Sequence, residues 1–318
     1  MQQKKSLDTL TGLRFIAALI VFIHHLGGKF GYVVNGYSIG SLAVTFFFVL
    51  SGFILTYAYQ DRLNCRSDVT KFYFNRFARI WPLHLVCLLI AILLIGSWTQ
   101  FRSSWEWIRI LTNLFLLQSW VPKDSWVFSF NGVAWSISTE TFFYLCFPLL
   151  VFGKSSPKWR LLIAMILAIL SGVTFHFMSR LGVGGDISYY RIGHVNPLIR
   201  LPEFCSGIIA ARIFFARQRD HRLRPFQWLV DTIQEVVCVL AIVLVCFWVV
   251  DLRFALNIGR AEWGSDFLGS WFRVIYPTPL FAIAVYVFAK SKGWIARCAA
   301  SRGMVYLGEV SFAFYMIH

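Results

Sequence analysis

The sequence predicts an all-α fold, a polytopic bundle of transmembrane helices, and three observations carry that prediction. Of 318 residues, 58% are hydrophobic, 18% aromatic and only 14% charged, too few polar groups to cover a water-soluble domain of this size. Apolar runs of membrane-crossing length recur along the whole chain, and Lys and Arg gather in alternate segments between them. The same composition excludes other classes. The 32 Phe and 13 Trp come without low-complexity tracts, sustained heptads or a Gly-X-Y period, which removes disorder, coiled coil and collagen. The net charge of +15 is scattered between apolar runs instead of forming one basic face, so it reads as topology, and no nucleic-acid partner is expected. Seven cysteines show neither Cys-x-x-Cys nor Cys/His zinc spacing, so neither a disulfide framework nor a metal site is expected.

A helix needs roughly 17–25 residues to cross the hydrocarbon. Such runs lie near 12–30, 39–60, 80–98, 132–152, 161–179, 197–215, 229–250 and 269–289, which makes eight full spans. A ninth begins near 304 (MVYLGEVSFAFYMIH) and reaches His318 after some 15 residues. Residues 1–318 are therefore expected to form a single transmembrane domain that is truncated at its C-terminal end. The stretch 105–120 is apolar but short and carries Glu106 and Arg109, which suits a membrane-surface or re-entrant helix. Counted by side, one set of connecting segments holds nineteen Lys and Arg and the other eight, so the N-terminus, with Lys4 and Lys5, is expected to be cytoplasmic. The first 30 residues have the shape of a signal peptide but lack a small-x-small cleavage site, so they are read as an uncleaved helix. No internal repeat is visible, which gives an inverted-repeat transporter little support.

Charged groups at membrane depth are costly and mark partners, paths or chemistry. Four clusters qualify. Arg14 and His25 lie eleven positions apart in GLRFIAALIVFIHHLGG, which returns them to within about 20° of one helix face and about 16 Å along it. A long anionic ligand can lie between them, charge at Arg14 and reactive group at His25. His24 points away and is the weaker candidate, and the structural alternative is a snorkelling Arg with a histidine bonded inside the bundle. Arg76 and Arg79, at i and i+3 just before Pro82, suit phosphate binding, or simply the positive-inside signal. In WSISTETFFY, Trp135, Ser136 and Glu140 occupy the outer half of the fourth span. Glu140 is deep enough to need a partner, as an orienter of a histidine, as an acid or base, or in an ion pair with Arg200. Arg200 and Glu203 in NPLIRLPEFCSG neutralise one another at i, i+3 and shape the cavity. Ser51-Gly52 in FFFVLSGF is read as a small pair permitting close helix packing.

Together these segments resemble the membrane acyltransferase-3 family of bacterial O-acyltransferases. The matching pieces are LDTLTGLRFIAALIVFIHH with its Arg-x10-His spacing, TFFFVLSGFILT, FYFNRFARIWPLH with Arg-x2-Arg, WSISTETFFYLCFP, RLPEFCSGIIA and SFAFYMIH, in family order from residue 7 to 318. The resemblance implies a bundle of about ten helices in the inner membrane. It implies transfer of an acyl group, commonly acetyl, from cytoplasmic acyl-CoA to a hydroxyl of a cell-surface glycan, lipopolysaccharide or lipid-linked sugar. It also implies that Arg14 and His25 are essential and that Arg76 and Arg79 belong to the functional cytoplasmic face. No permanently bound cofactor is expected; acyl-CoA enters as co-substrate.

The residues fit that chemistry on their own terms. Arg14, Arg76 and Arg79 would hold the phosphates of acyl-CoA while the thioester reaches His25, acting as general base or transient acyl carrier with Glu140 orienting it. Trp135 and Trp126 would offer a stacking surface for a sugar. The rivals are a proton-coupled transporter, which would neither bind nor hydrolyse acetyl-CoA, and a non-catalytic scaffold, in which loss of Arg14 or His25 changes stability alone.

Overall fold

The computed structural model describes residues 7–29, 39–95, 104–151, 157–181, 187–217, 226–255, 271 and 275–318. Most of these residues are helical, and none of them lies in a strand. Among the described residues thirteen α-helices run in order: α1 (Asp8–Lys29), α2 (Ile39–Tyr59), α3 (Arg66–Ile95), α4 (Ser104–Leu114), α5 (Asp124–Val127), α6 (Ala134–Val151), α7 (Pro157–Arg180), α8 (Tyr189–Val195), α9 (Leu201–Arg217), α10 (Gln227–Ala255), α11 (Thr278–Lys290), α12 (Trp294–Ala299) and α13 (Arg302–Ile317). Six of the described helices, α1, α2, α3, α6, α7 and α10, are long and apolar enough to cross a membrane. At 17 and 13 residues, α9 and α11 mark the expected sixth and eighth segments. Lys4 and Lys5, and positions 269, 270 and 272–274 of the eighth segment, lie outside the described residues.

Burial sorts the helices into an inner and an outer set. Most of the α2 window, 72%, is buried, against 22% for α3 and α7 and 17% for α10. The outer helices present apolar side chains outward, among them Leu93 and Leu94 on α3, Leu170 and Phe177 on α7, and Leu240 and Leu244 on α10. Lipid tails satisfy such faces as well as a protein core would. Inside, α2 and α9 approach closely because two glycines remove the side chains between them: a Cβ at Gly52 would lie 2.1 Å from the Phe204 carbonyl oxygen, and one at Gly207 1.9 Å from that of Val49. This is the close packing that Ser51-Gly52 predicted.

The helix carrying Arg76 and Arg79 begins well before the expected span at 80–98. A hydropathy window sees only the apolar part of a helix, whereas α3 continues from Arg66 for 30 residues, about 45 Å. Its start is fixed by Asp68, whose Oδ2 accepts hydrogen bonds from the backbone N–H of Asn64 and Cys65. The expected surface segment forms α4, with Trp105, Trp107 and Leu111 exposed and Glu106 paired to Arg109 at 3.0 Å. Its C-terminal carbonyls are met by α3, through Trp81 Nε1 to Leu114 and His84 Nε2 to Asn113.

Gly207→Leu is expected to force α2 and α9 apart at a cost of about 1–3 kcal/mol or more. The yield of monodisperse protein after detergent extraction should fall several-fold. Gly303→Ala, where an added Cβ meets nothing within 4 Å, should leave that yield unchanged.

Candidate functional site

A cavity of about 300 Å³ opens between α1, α2, α3, α6 and α13. Arg14, Arg62, Arg76 and Arg79 line it together with a single carboxylate, Glu140. The α2–α3 turn held by Asp68 aims three of the four guanidiniums: Arg62 lies on the turn, and Arg76 and Arg79 follow on α3. Arg14 comes from the second turn of α1, half-buried and within electrostatic range of Arg79, Glu140 and Arg76. Arg62 and Arg79 are exposed, which puts the mouth of the cavity at the α2–α3 end.

Arg76 sits between two aromatic faces, 5.5 Å from the Tyr59 ring centroid and 5.7 Å from that of Tyr144, and its Nη2 donates to the Tyr59 hydroxyl at 3.3 Å. Its Nε is buried and has no hydrogen-bond partner. Glu140 Oε1 accepts from Ser51 Oγ at 3.0 Å and from the Tyr144 hydroxyl at 2.7 Å. Glu140 therefore belongs to the arginine cavity, and neither His25 nor Arg200 is among its hydrogen-bond partners. The expected orientation of His25 by Glu140 is not the arrangement found: Glu140 lines the cavity and His25 does not.

Ser136 and Tyr315 bound the inner end of the cavity, bonded hydroxyl to hydroxyl at 2.8 Å. His25 does not line the cavity. It lies beyond that boundary, where its Nδ1 is 2.8 Å from Nε2 of His318 and the two rings stack at 5.0 Å. His24 packs instead against Gly40 at the start of α2, as its position on the helix predicted. The Arg-x10-His spacing thus sets Arg14 and His25 at two stations along α1, one in the cavity and one past its inner end.

Arg200 and Glu203 form the expected pair, both side chains fully buried, with contacts of 2.5 and 2.9 Å. Arg200 also donates to Thr45 Oγ1 at 3.1 Å and to the His194 carbonyl at 2.7 Å. Neither residue lines the cavity; Arg200 lies 4.9 Å from the ring centroid of Phe48, which does. The expectation that Trp135 offers a stacking surface to a sugar is corrected. Trp135 is only 7% exposed, its ring packs on Phe48 and His194, and it walls the Arg200 guanidinium at 5.8 Å. Trp126 is half-buried beside Trp105. Sequence alone does not point to Tyr59, Arg62, Tyr144, Tyr315 or His318, and Ser51-Gly52 signals only close packing. Arg62 is one of the cations between apolar runs, while Tyr315 and His318 stand in the SFAFYMIH motif.

The family model described as an acyltransferase domain matches residues 7–318. The chain belongs to the acyltransferase-3 family. Acyltransferase MdmB of Streptomyces mycarofaciens is 31% identical over 330 residues, covering 98% of this chain and 78% of that one. A Staphylococcus aureus (strain COL) protein, provisionally named O-acetyltransferase SACOL0978, is 27% identical over 97% of this chain and 49% of its own length. O-acetyltransferase OatA of S. aureus (strain NCTC 8325) is 24% identical over 100% of this chain and 51% of its own length. The chain spans about half the length of these two relatives. No solved structure matches. This acyltransferase is a multi-pass membrane protein, and among its described residues no group of His, Cys, Asp and Glu could hold a metal ion.

Arg200→Met should leave Glu203 as an uncompensated buried charge and cost about 3–5 kcal/mol. The double variant Arg200→Met with Glu203→Leu should recover most of it. Thermal unfolding of the detergent-solubilised protein measures both.

Proposed function

We propose that this acyltransferase moves an acetyl group from cytoplasmic acetyl-CoA to a hydroxyl of a cell-envelope glycan or lipid-linked sugar. The observation that carries the reading is the convergence of four guanidiniums on one cavity, with the buried Nε of Arg76 lacking a partner. Four arginines against one carboxylate would ordinarily repel, and a ligand bearing several phosphates offsets that repulsion while supplying acceptor oxygens. Coenzyme A is such a ligand. Its pantetheine arm is long enough to cover the about 16 Å of α1 between Arg14 and His25. The apolar middle of the cavity, with Val44, Phe47, Leu50 and Ile54, suits that uncharged arm.

In this reading Arg14, Arg62, Arg76 and Arg79 hold the nucleotide and pyrophosphate, and the thioester passes Ser136 and Tyr315 to reach His25. Glu140 fixes Ser51 and Tyr144 and tempers the positive field, which makes it a positioning residue for the donor. His25 takes the proton of the acceptor hydroxyl as the oxygen attacks the thioester carbonyl. The C–S bond then breaks, the acetyl ester forms, and the imidazolium returns the proton to the departing thiolate. Acetyl transfer, rather than transfer of a longer chain, is supported by the O-acetyltransferase names of the relatives. The Lys and Arg asymmetry supports an N-terminus and a cavity mouth on the cytoplasmic side of the inner membrane, where acetyl-CoA is available.

Acetyl-labelled acetyl-CoA supplied to membranes holding the protein tests this directly. Label should pass to envelope glycan with release of free CoA. His25→Ala should lower kcat at least 100-fold, and Arg76→Ala should raise KM for acetyl-CoA about tenfold, equivalent to about 1.4 kcal/mol. Solute movement with no consumption of acetyl-CoA would overturn the proposal in favour of a transporter.

A further inference from the structure

The reactive end assigned to His25 includes a second imidazole that enters from the far end of the chain. Ser311 and Tyr315 in α13 and His318 just after its last residue follow at spacings of four and three and so share a face, with Phe314 beside them. The helix is held in register against α1 by three contacts. A Cβ at Gly308 would lie 1.9 Å from the Thr11 carbonyl oxygen, Phe314 packs on Phe15 and Phe22 at 6.0 and 5.2 Å, and His318 meets His25. Both helices advance through these contacts in the same direction, so they run parallel. The last turn of α13 is also tied to α6 and the segment before it: Asn131 Nδ2 donates to the Met316 carbonyl at 2.9 Å, and Ser136 bonds Tyr315. The position of His318 is thus fixed from two sides.

A neutral imidazole has one nitrogen that donates and one that accepts, and the partner of one nitrogen decides the chemistry of the other. The 2.8 Å contact between His25 Nδ1 and His318 Nε2 is such a partnership. His318 is set among Phe22, Phe314 and Tyr315, at 5.9, 6.3 and 5.5 Å between ring centroids. Resting on the acyltransfer reading above, we propose that His318 is a positioning residue for His25: its Nε2 accepts the His25 Nδ1–H and so assigns the lone pair to His25 Nε2, the atom that takes the acceptor's proton.

The bookkeeping of the proton is simple. As the hydroxyl oxygen attacks, its proton moves to His25 Nε2, and the Nδ1–H to His318 bond becomes charge-assisted while the imidazolium lasts. That bond is stronger in the transition state than in the ground state, so its loss falls on kcat. When the thiolate leaves it recovers the proton from Nε2, and the pair returns to its starting tautomer. His318 itself gains and loses nothing, and it touches neither substrate.

Two variants separate the hydrogen bond from ring packing. His318→Phe keeps an aromatic ring among Phe22, Phe314 and Tyr315 but removes the acceptor; His318→Gln supplies an acceptor oxygen but removes the ring. Both are assayed in the intact membrane-embedded protein beside wild type and His25→Ala, with labelled acetyl-CoA. The expected result is a fall in kcat of about 100-fold for His318→Phe with KM for acetyl-CoA within about twofold, and retention within about tenfold for His318→Gln. Full activity in His318→Phe, or higher activity there than in His318→Gln, overturns the assignment. Should His318→Phe fail to accumulate, nitrogen-15 NMR of histidine-labelled wild type decides: the proton on His25 Nδ1 supports the proposal and the proton on Nε2 overturns it. A wild type that transfers no label defeats the acyltransfer reading, and this inference with it. An active wild type with inactive His25→Ala and fully active His318→Phe defeats this inference alone.

Discussion

A charge carried to membrane depth has to be met inside the bundle, and this constraint organises the molecule. Arg200 is the case in which the protein meets it completely. Glu203 takes two of its N–H groups, Thr45 and the His194 carbonyl take others, and Phe48 and Trp135 cover the guanidinium. Closing that site draws in α2, α6, α9 and the segment before α9, the elements around which the outer helices gather. The glycine contacts between α2 and α9 belong to the same design, because they bring Thr45 and the Arg200 turn into one core.

The cavity arginines are treated differently. Arg76 has aromatic faces and one hydroxyl, but its buried Nε has no partner, and Glu140 faces four guanidiniums while its Oε1 accepts from two hydroxyls. A buried donor that the protein leaves unmet inside a cavity can donate to a ligand that enters it. Arg200 is satisfied within the fold, and in the proposed reading Arg76, with Arg14, Arg62 and Arg79 beside it, holds an anion. In that reading the length of α1 separates the place of holding from the place of reaction, with Ser136 and Tyr315 between them. The proposed donor, a phosphate-bearing head joined to a distant thioester, has the same division.

The architecture was legible because hydrocarbon imposes long apolar runs that composition alone reveals, and α1, α2, α6 and α7 lie close to their expected positions. The start of α3 was not, since its first turns are polar and are fixed by Asp68, a local hydrogen-bonding event that hydropathy does not register. In the site, spacing within one helix was readable: Arg14 with His25, Arg76 with Arg79, Arg200 with Glu203. Contacts between helices were not. The sequence leaves Glu140 a choice of orienting a histidine, acting as acid or base, or pairing with a buried Arg, and the fold instead bonds it to Ser51 and Tyr144. Trp135 was read as an outer-face stacking platform, yet the packing of α6 against Phe48 buries it. His318 stands 293 positions from His25, a separation at which only the fold can bring two rings together.

The central claim, that one ligand is held by its charges at the arginine cavity and presented at the far end to His25, is tested most directly by a cryo-electron microscopy structure in lipid nanodiscs with a non-hydrolysable acetyl-CoA analogue. The account predicts phosphate density among Arg14, Arg62, Arg76 and Arg79, an arm running past the Ser136–Tyr315 pair, and the acetyl carbonyl within about 3.5 Å of the position an acceptor oxygen takes beside His25 Nε2. An analogue bound outside this cavity, or one whose acetyl group stops on the arginine side of Tyr315, would contradict it.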